Sequence, residues 1–503
     1  MTERRDDESL AKQHALLTRR GLFGLAAATS IIPRAAAANP SPDPSNVPAE
    51  TVSPVMTTLS GYMKDARDRA LPNDVVEKTK AHILDAVAAM ISGSQLPPGR
   101  AALNFARAYG GKEVSTVVAS NILCAPIEAS LANAMLAHSD ETDDSHPASQ
   151  SHPGCAVIPA ALAVGEQFGI SGTHFVRAVA LGYDVGTRFT IIAGEKYESE
   201  SHRSTHSIAP TFGAAAAAAC AASLDARLMQ FVLGYTAQQC SGLSSWSRDS
   251  QHIQKAFVFG GMNARSGVTS ALLVHAGWTG VEDLLSGTDN FFEAYEPAAD
   301  TAGLIEKLGE RYEIMRTNIK KWTVGSPIQA ALDGVETLRA KRPFTADQVQ
   351  EVTVRLGTGE ARIVNNREMP DICLQHMVAV MLLDKTVTFH SAHDHARMKD
   401  PAVLLEREKV HLVPDEELQR LMPLRVAIVT LKFKDGTELT QRVDNVRGTP
   451  ENPMTRQEIV TKAQDLIAPV MGPAAGKKLI DALNNLESVK NIRELRPLLQ
   501  HAS

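Results

Sequence analysis

The stretch HSDETDDSHPASQSHPGC, His138 to Cys155, holds four acidic residues, three histidines and two His-Pro steps within eighteen positions. Such a density of titratable groups admits three readings. As a solvated turn, with Pro147, Pro153 and Gly154 to break the chain, it would need no function. As a metal site it offers His138, Asp140, Asp144, His146 and His152, but none falls in a specific ligand spacing such as HExxH. As an acid-base and anion-handling loop it supplies carboxylates and imidazoles that hydrogen-bond one another and shift one another's pKa. These residue types alone leave all three open.

The flanking sequence shows what must hold such a loop. IEASLANAMLAH precedes it, and a second apolar helix is expected to begin near Pro159, so rigid helices bracket a polar connection, a frequent home for catalytic groups. In NDVVEKTKAHILDAVAAMISGS, Val76, Ile83, Val87 and Met90 form one apolar stripe that Leu84 and Ile91 widen; Asn73 or Asp74 can cap its start and Gly93 can end it. The same period runs through AVIPAALAVGEQF, THFVRAVALGYDVGTRF and TFGAAAAAACAASL. Gly182, Gly186 and the run Ala214 to Ala219 lack bulk and would let helix axes approach closely.

After Trp322 the pattern changes. DQVQEVTVRLGTGEARIV alternates in part through Val349, Val352, Val354 and Leu356, and RVAIVTLKFKDGTELTQRVDN gives two alternating runs around Asp435-Gly436, a strong hairpin signal. CLQHMVAVMLLDKTV between them is a helix candidate. The expected fold is therefore mainly α: a helical domain over residues 51–316, an α+β lid domain over 317–444, and a return to the helical domain over 445–503.

The chain has 503 residues with 51 basic and 57 acidic side chains, a formal net charge of -6. No long basic run suggests nucleic-acid binding, so a small-molecule ligand is expected. Five cysteines, at 124, 155, 220, 240 and 373, show no zinc-type spacing, and their odd number argues against a full disulfide framework. Residues 1–38 carry Arg19 and Arg20, a modest apolar run from Gly21 to Ile32 and an Ala36-Ala37-Ala38 cleavage site, the order of a twin-arginine export signal. The apolar run falls short of the roughly 20 residues a membrane span needs, so no stable membrane insertion is expected after processing. A proline-rich linker, residues 39–50, follows, and the mature protein is expected in the periplasm.

The loop, RAVALGYDVGTRF, STHSIAPTFGAAAAAA and CLQHMVAVMLLD together resemble the MmgE/PrpD family in order and spacing, over nearly all of residues 51 to 486. That family includes 2-methylcitrate dehydratase, cis-aconitate decarboxylase and an iminodisuccinate epimerase. The resemblance implies a large helical domain with a smaller α+β lid, a homodimer and no metal; no nucleotide-binding glycine motif precedes a strand-helix unit and no lysine context indicates a Schiff base, so no organic cofactor is expected. Carried over by position, it implies catalytic roles for Glu141, Asp143, His152, His206 and Lys255, and substrate-binding roles for Asp144, Ser145, Lys320 and His376. Glu141 stands where the family usually has Asp, and Ser145 where it has Thr. Decarboxylase-like members have histidines where this chain has Gly325 and Gln329, and a tyrosine at the position of His376. The set suits removal of a proton next to a carboxylate, followed by loss of a β-substituent or CO2, or by reprotonation on the other face. A carboxylate-binding protein that has kept the fold and lost catalysis is the third expectation.

Overall fold

Helix forms where apolar residues recur every three to four positions, and Asn73–Gly93 is one of the longest cases. Its cap position falls on Pro72, not on Asn73 or Asp74, and no side chain caps it; Asp74 accepts instead from the Val75 N–H. The computed structural model describes residues 51–194 and 196–501, so the expected export signal and linker lie outside the described residues.

The helix after the polar loop starts at Gly154 rather than near Pro159, which sits inside it. Asp144 accounts for the earlier start: its Oδ1 accepts the Gly154 N–H at 3.1 Å, satisfying an N-terminal donor that the helix cannot pair internally. Gly172–Ile191 and Thr205–Ala221 then cross in very close contact. A Cβ on Gly186 would lie 2.3 Å from the Ala209 carbonyl oxygen, and one on Gly182 2.8 Å from that of Gly213. Only glycine permits that approach.

The first hydrophobic core draws on residues from Met56 to Ile319 and again from Ile459 to Leu499. The C-terminal helix Arg456–Met471 starts from a capping box in which Thr455 and Glu458 exchange hydrogen bonds, and it places Ile459, Ala463, Leu466 and Ile467 in this core. A second core runs from Trp322 to Val446. It packs the helices Ser326–Lys341 and Leu374–Asp384 with a four-stranded sheet. Across the sheet the strands are Val410–Asp415, Val349–Gly357, Ala427–Phe433 and Glu438–Val443, with the first pair parallel and the rest antiparallel. Gly436, at φ +84°, closes the last hairpin. Helix dominates throughout, and the fold is mainly α.

Two local features differ from the sequence expectation. The alternation from Val349 ends at Gly357, and Thr358–Val364 turns into a helix that buries Glu360, Ala361 and Val364 on one side. Val410–Asp415 is a strand although VHLVPD contains Pro414; it lies at the sheet edge, where a missing backbone donor is tolerated. Residues 51–501 belong to one compact unit. Among the described residues no helix is long and apolar enough to cross a membrane.

Candidate active site

The polar loop is not solvated. His138 is 0% exposed, Asp143 1% and Glu141 6%, so charges are buried here at a cost that only close partners can offset. His138 ends the Pro126–Ala137 helix, and its Nδ1 lies 3.0 Å from Asp143 Oδ2. His152 Nδ1 lies 3.2 Å from the other oxygen, Oδ1, so one carboxylate orients two imidazoles. Lys320 Nζ is 3.6 Å from Asp143 Oδ1 and donates to the Glu141 carbonyl at 2.8 Å. Burial alone would raise the Asp143 carboxyl, but His138, His152 and Lys320 outweigh it and hold it well below the usual carboxylate range.

Glu141 pairs closely with Lys255, and His252 Nδ1 stands 4.0 Å from the same carboxylate oxygen. Lys255, Lys320, His252 and His138 overcome the effect of burial and keep Glu141 ionised. The extra methylene relative to aspartate thus reaches a partner across the site. Lys255 precedes a π-helical turn, Phe257–Gly261, a local widening often found at functional sites. A Cβ on Gly260 would lie 2.4 Å from the Ala134 carbonyl oxygen, so the turn can lie directly against the helix that ends in His138. That contact places Phe259 nearly parallel to both His138 and His206, at ring-centroid distances of 4.5 and 3.9 Å.

His206 lies in the first turn of Thr205–Ala221, with its ring 5.4 Å from that of His152. Burial is the largest influence lowering the pKa of both imidazoles; Lys320 adds to it at His152 against Asp143, and His152 and Lys255 add to it at His206. Both rings line a cavity of about 310 Å³, walled on the other side by Gln419, Met422, Pro423 and Arg425. Lys320 lines a second cavity of about 290 Å³, and Ser145, Ser326 and Arg425 belong to the walls of both.

The structure therefore brings together Glu141, Asp143, His152, His206, Lys255 and Lys320, with Ser145 at the cavity wall. Asp144 turns elsewhere: it accepts from Tyr183 and lies 3.0 Å from His82 Nδ1, so its oxygens are used in bracing the loop. His376 is fully buried in Leu374–Asp384, and the charges bearing most on it are Arg407, Arg397, Asp394 and His395 rather than those of the loop. Burial, aided by Arg407 and Arg397, lowers its pKa to about 4. Gln329 is spent on backbone, bonding Trp322 N, Trp322 O and Val324 O at 3.1, 2.7 and 2.8 Å.

Several members of the site carry little signal in single-sequence patterns. His393, in the short helix Phe389–His393, places Nε2 3.0 Å from Asp140 Oδ2. Burial would lower its pKa, but Asp140 and Asp371 outweigh it and raise it to about 9. Asp371 is pushed up to about 7 by burial, with Glu141 and Asp140 adding to the effect. His252 adopts φ +62°, which no motif announces. The clustering of histidines in FHSAHDHA was the one available hint to His393.

Among the described residues, His138, Asp143 and Cys155 bring potential ligand atoms within 4.8 Å of one another. They do not suit a metal. Both Asp143 oxygens are already engaged by imidazoles, and burial pushes the Cys155 thiol well up, keeping it in the protonated form that ligates poorly.

The MmgE/PrpD N-terminal domain model matches residues 57–302, and the C-terminal domain model matches 322–488. The chain belongs to the MmgE/PrpD family. It is similar to a cis-aconitate decarboxylase of Aspergillus terreus, 23% identical over 461 residues that cover 85% of this chain and 92% of the relative. It is similar also to the cis-aconitate decarboxylase of Mus musculus, 22% identical over 474 residues covering 89% and 94% respectively. A cis-aconitate decarboxylase-like protein of Aspergillus oryzae is 22% identical over 485 residues, covering 88% of this chain and 97% of the relative. A lyase-type activity in this family is therefore the coarse functional frame.

Proposed function

We propose that the protein is a cofactor-independent lyase that removes a proton next to a carboxylate of a small di- or tricarboxylate, with loss of a β-substituent or CO2. The observation that carries this reading is the pair His152 and His206, facing one cavity with ring centroids 5.4 Å apart and both favoured as neutral imidazoles. Asp143 accepts from His152 Nδ1 and so leaves Nε2 as the basic atom. That nitrogen takes the α-proton, and Lys255 and Lys320 stabilise the charge that develops on the carboxylate. In elimination, the electrons form the carbon–carbon double bond while the β-substituent leaves with the proton that His152 has taken up, relayed through His206, so that both imidazoles end neutral. In decarboxylation no α-proton is removed; the electrons of the breaking bond stay on carbon and are quenched by a proton that an imidazole has first taken up from solvent. Reprotonation on the opposite face would make the same pair an epimerase.

The test is incubation of the mature protein with a panel of di- and tricarboxylates in deuterated water, followed by mass spectrometry. Net loss of water or CO2 supports the lyase; deuterium gained at an otherwise unchanged stereocentre, with inversion, supports the epimerase. Binding with neither exchange nor turnover across the panel would make it a carboxylate-binding protein. We propose further that it is exported through Arg19 and Arg20 to the periplasm and works as a homodimer. Changing both arginines to Lys should retain the precursor in the cytoplasm, and sedimentation of the mature protein should give twice the chain mass.

A further inference from the structure

The two cavities at the site meet at a shared wall, and the cationic side chain common to both is Arg425. Its surroundings differ from those of the lysines opposite. Lys255 is paired with Glu141, and Lys320 is held by the Glu141 carbonyl with Asp143 nearby, so the loop's own acids balance their charge. Arg447, in the wall of the second cavity, is taken up by Glu458 and Asn452. Arg425 donates from Nη1 to Glu360 at 2.7 Å, while its Nε and Nη2 have no protein partner among the described residues. The side chain is 36% exposed, so those donors can be reached from the cavity space.

A guanidinium stays charged at any physiological pH and presents paired N–H donors that match a carboxylate. The imidazoles lie in one cavity and Lys320 in the other, with Arg425 where they join. We propose that Arg425 is a second carboxylate-binding residue, receiving a substrate carboxylate remote from the carbon that His152 and His206 deprotonate. This rests on the lyase reading and assigns a residue to the second carboxylate. The ligand class becomes compounds with two or more carboxylates along a short carbon chain, and a monocarboxylate would leave Arg425 unengaged.

The test reads binding, not turnover, so it stands apart from the reaction assay. Isothermal titration of the mature protein and of R425Q and R425K would compare tricarballylate, glutarate and butyrate. R425Q should weaken tricarballylate and glutarate by about 10- to 100-fold, the usual worth of a charge-assisted pair, and leave butyrate within about twofold. R425K should recover only part of the loss, since an ammonium cannot form the fork. Near-parent melting of both variants would show the fold intact. Equal weakening of all three ligands, no weakening of any, full recovery by R425K, or failure of the parent to bind any of them would overturn the assignment. Weakening as expected in a protein without exchange or turnover would keep the subsite and remove the lyase.

Discussion

The two walls of the candidate site are built differently. On the loop side, Asp140, Glu141, Asp143 and Asp144 are buried and each is met by a cation, an imidazole or a backbone donor. On the facing side, Gln419 ends the short helix Glu416–Gln419, Met422, Pro423 and Arg425 lie on the irregular stretch between it and Ala427–Phe433, and Arg425 has donors to spare. A buried network in low dielectric holds a geometry because every unmet partner is costly. On the proposed reading the loop side serves the chemistry, which needs fixed proton positions, and the facing side the selection among ligands.

The largest expected effect comes from removing a support behind the loop. Lys462 donates to the Thr142 carbonyl at 3.0 Å and pairs with buried Asp85 at 2.6 Å. Lys462→Met would leave Asp85 without its cation and should cost about 3–5 kcal/mol of unfolding free energy by denaturant titration. A loss below about 1 kcal/mol would show that the loop does not depend on this brace.

The next sharpens the comparison through pH. His393 meets Asp140 of the loop, and its pKa, raised to about 9, means that the folded protein holds the proton more tightly than the unfolded one. Its contribution is full below about 6.5 and is lost as pH rises through about 9, on the order of 3 kcal/mol at most. His82, behind the loop against Asp144, has the opposite sign: burial lowers it to about 4, so its contribution is present above about 6.5 and lost as pH falls toward 4. Denaturation of H393Q and H82Q beside the parent should give stability differences that vary in opposite directions across these two windows; parallel curves would contradict the charge assignment.

For the chemistry itself, His152→Gln or His206→Gln keeps hydrogen-bonding capacity while removing the titrating group. Turnover should fall about 100-fold or more, with binding of a carboxylate ligand changed far less. In the parent, activity should be lost as pH falls through a midpoint below about 6.5, because both imidazole pKa values are lowered and the neutral form is the base. A midpoint above 7 would be incompatible with that role.

The smallest effect belongs to Gly325, which lies beside Ile372 and Asp371. Gly325 has φ -52°, and a Cβ there would meet Ile372 at 3.4 Å, an ordinary contact. Gly325 is buried, so the ring must find room beyond that Cβ, and Gly325→His should cost about 1 kcal/mol of stability. If the missing imidazole is what limits decarboxylation, the variant should release CO2 from cis-aconitate faster than the parent. An unchanged rate would place the difference from the decarboxylases elsewhere.

Much of this was legible in residue order. Helical periodicity marked Asn73–Gly93, the small residues at Gly182 and Gly186 foretold a close crossing, and Asp435-Gly436 located a hairpin, because these are consequences of local backbone chemistry and side-chain size. The local density of His138 to Cys155 likewise marked a place where charge collects, and the family motif named its partners in His206, Lys255 and Lys320. What the sequence could not decide was the state of that charge. A carboxylate in a polar loop looks the same in one dimension whether water or an imidazole meets it, and the burial of Asp143 between His138 and His152 exists only once the Gly154–Phe168 and Pro126–Ala137 helices converge. His252, Asp371, His393 and Arg425 enter from distant segments, and His376 is set apart by the packing of its helix. Pairing energies and pKa values depend on separations of a few ångströms and on exclusion of water, and tertiary structure alone sets both.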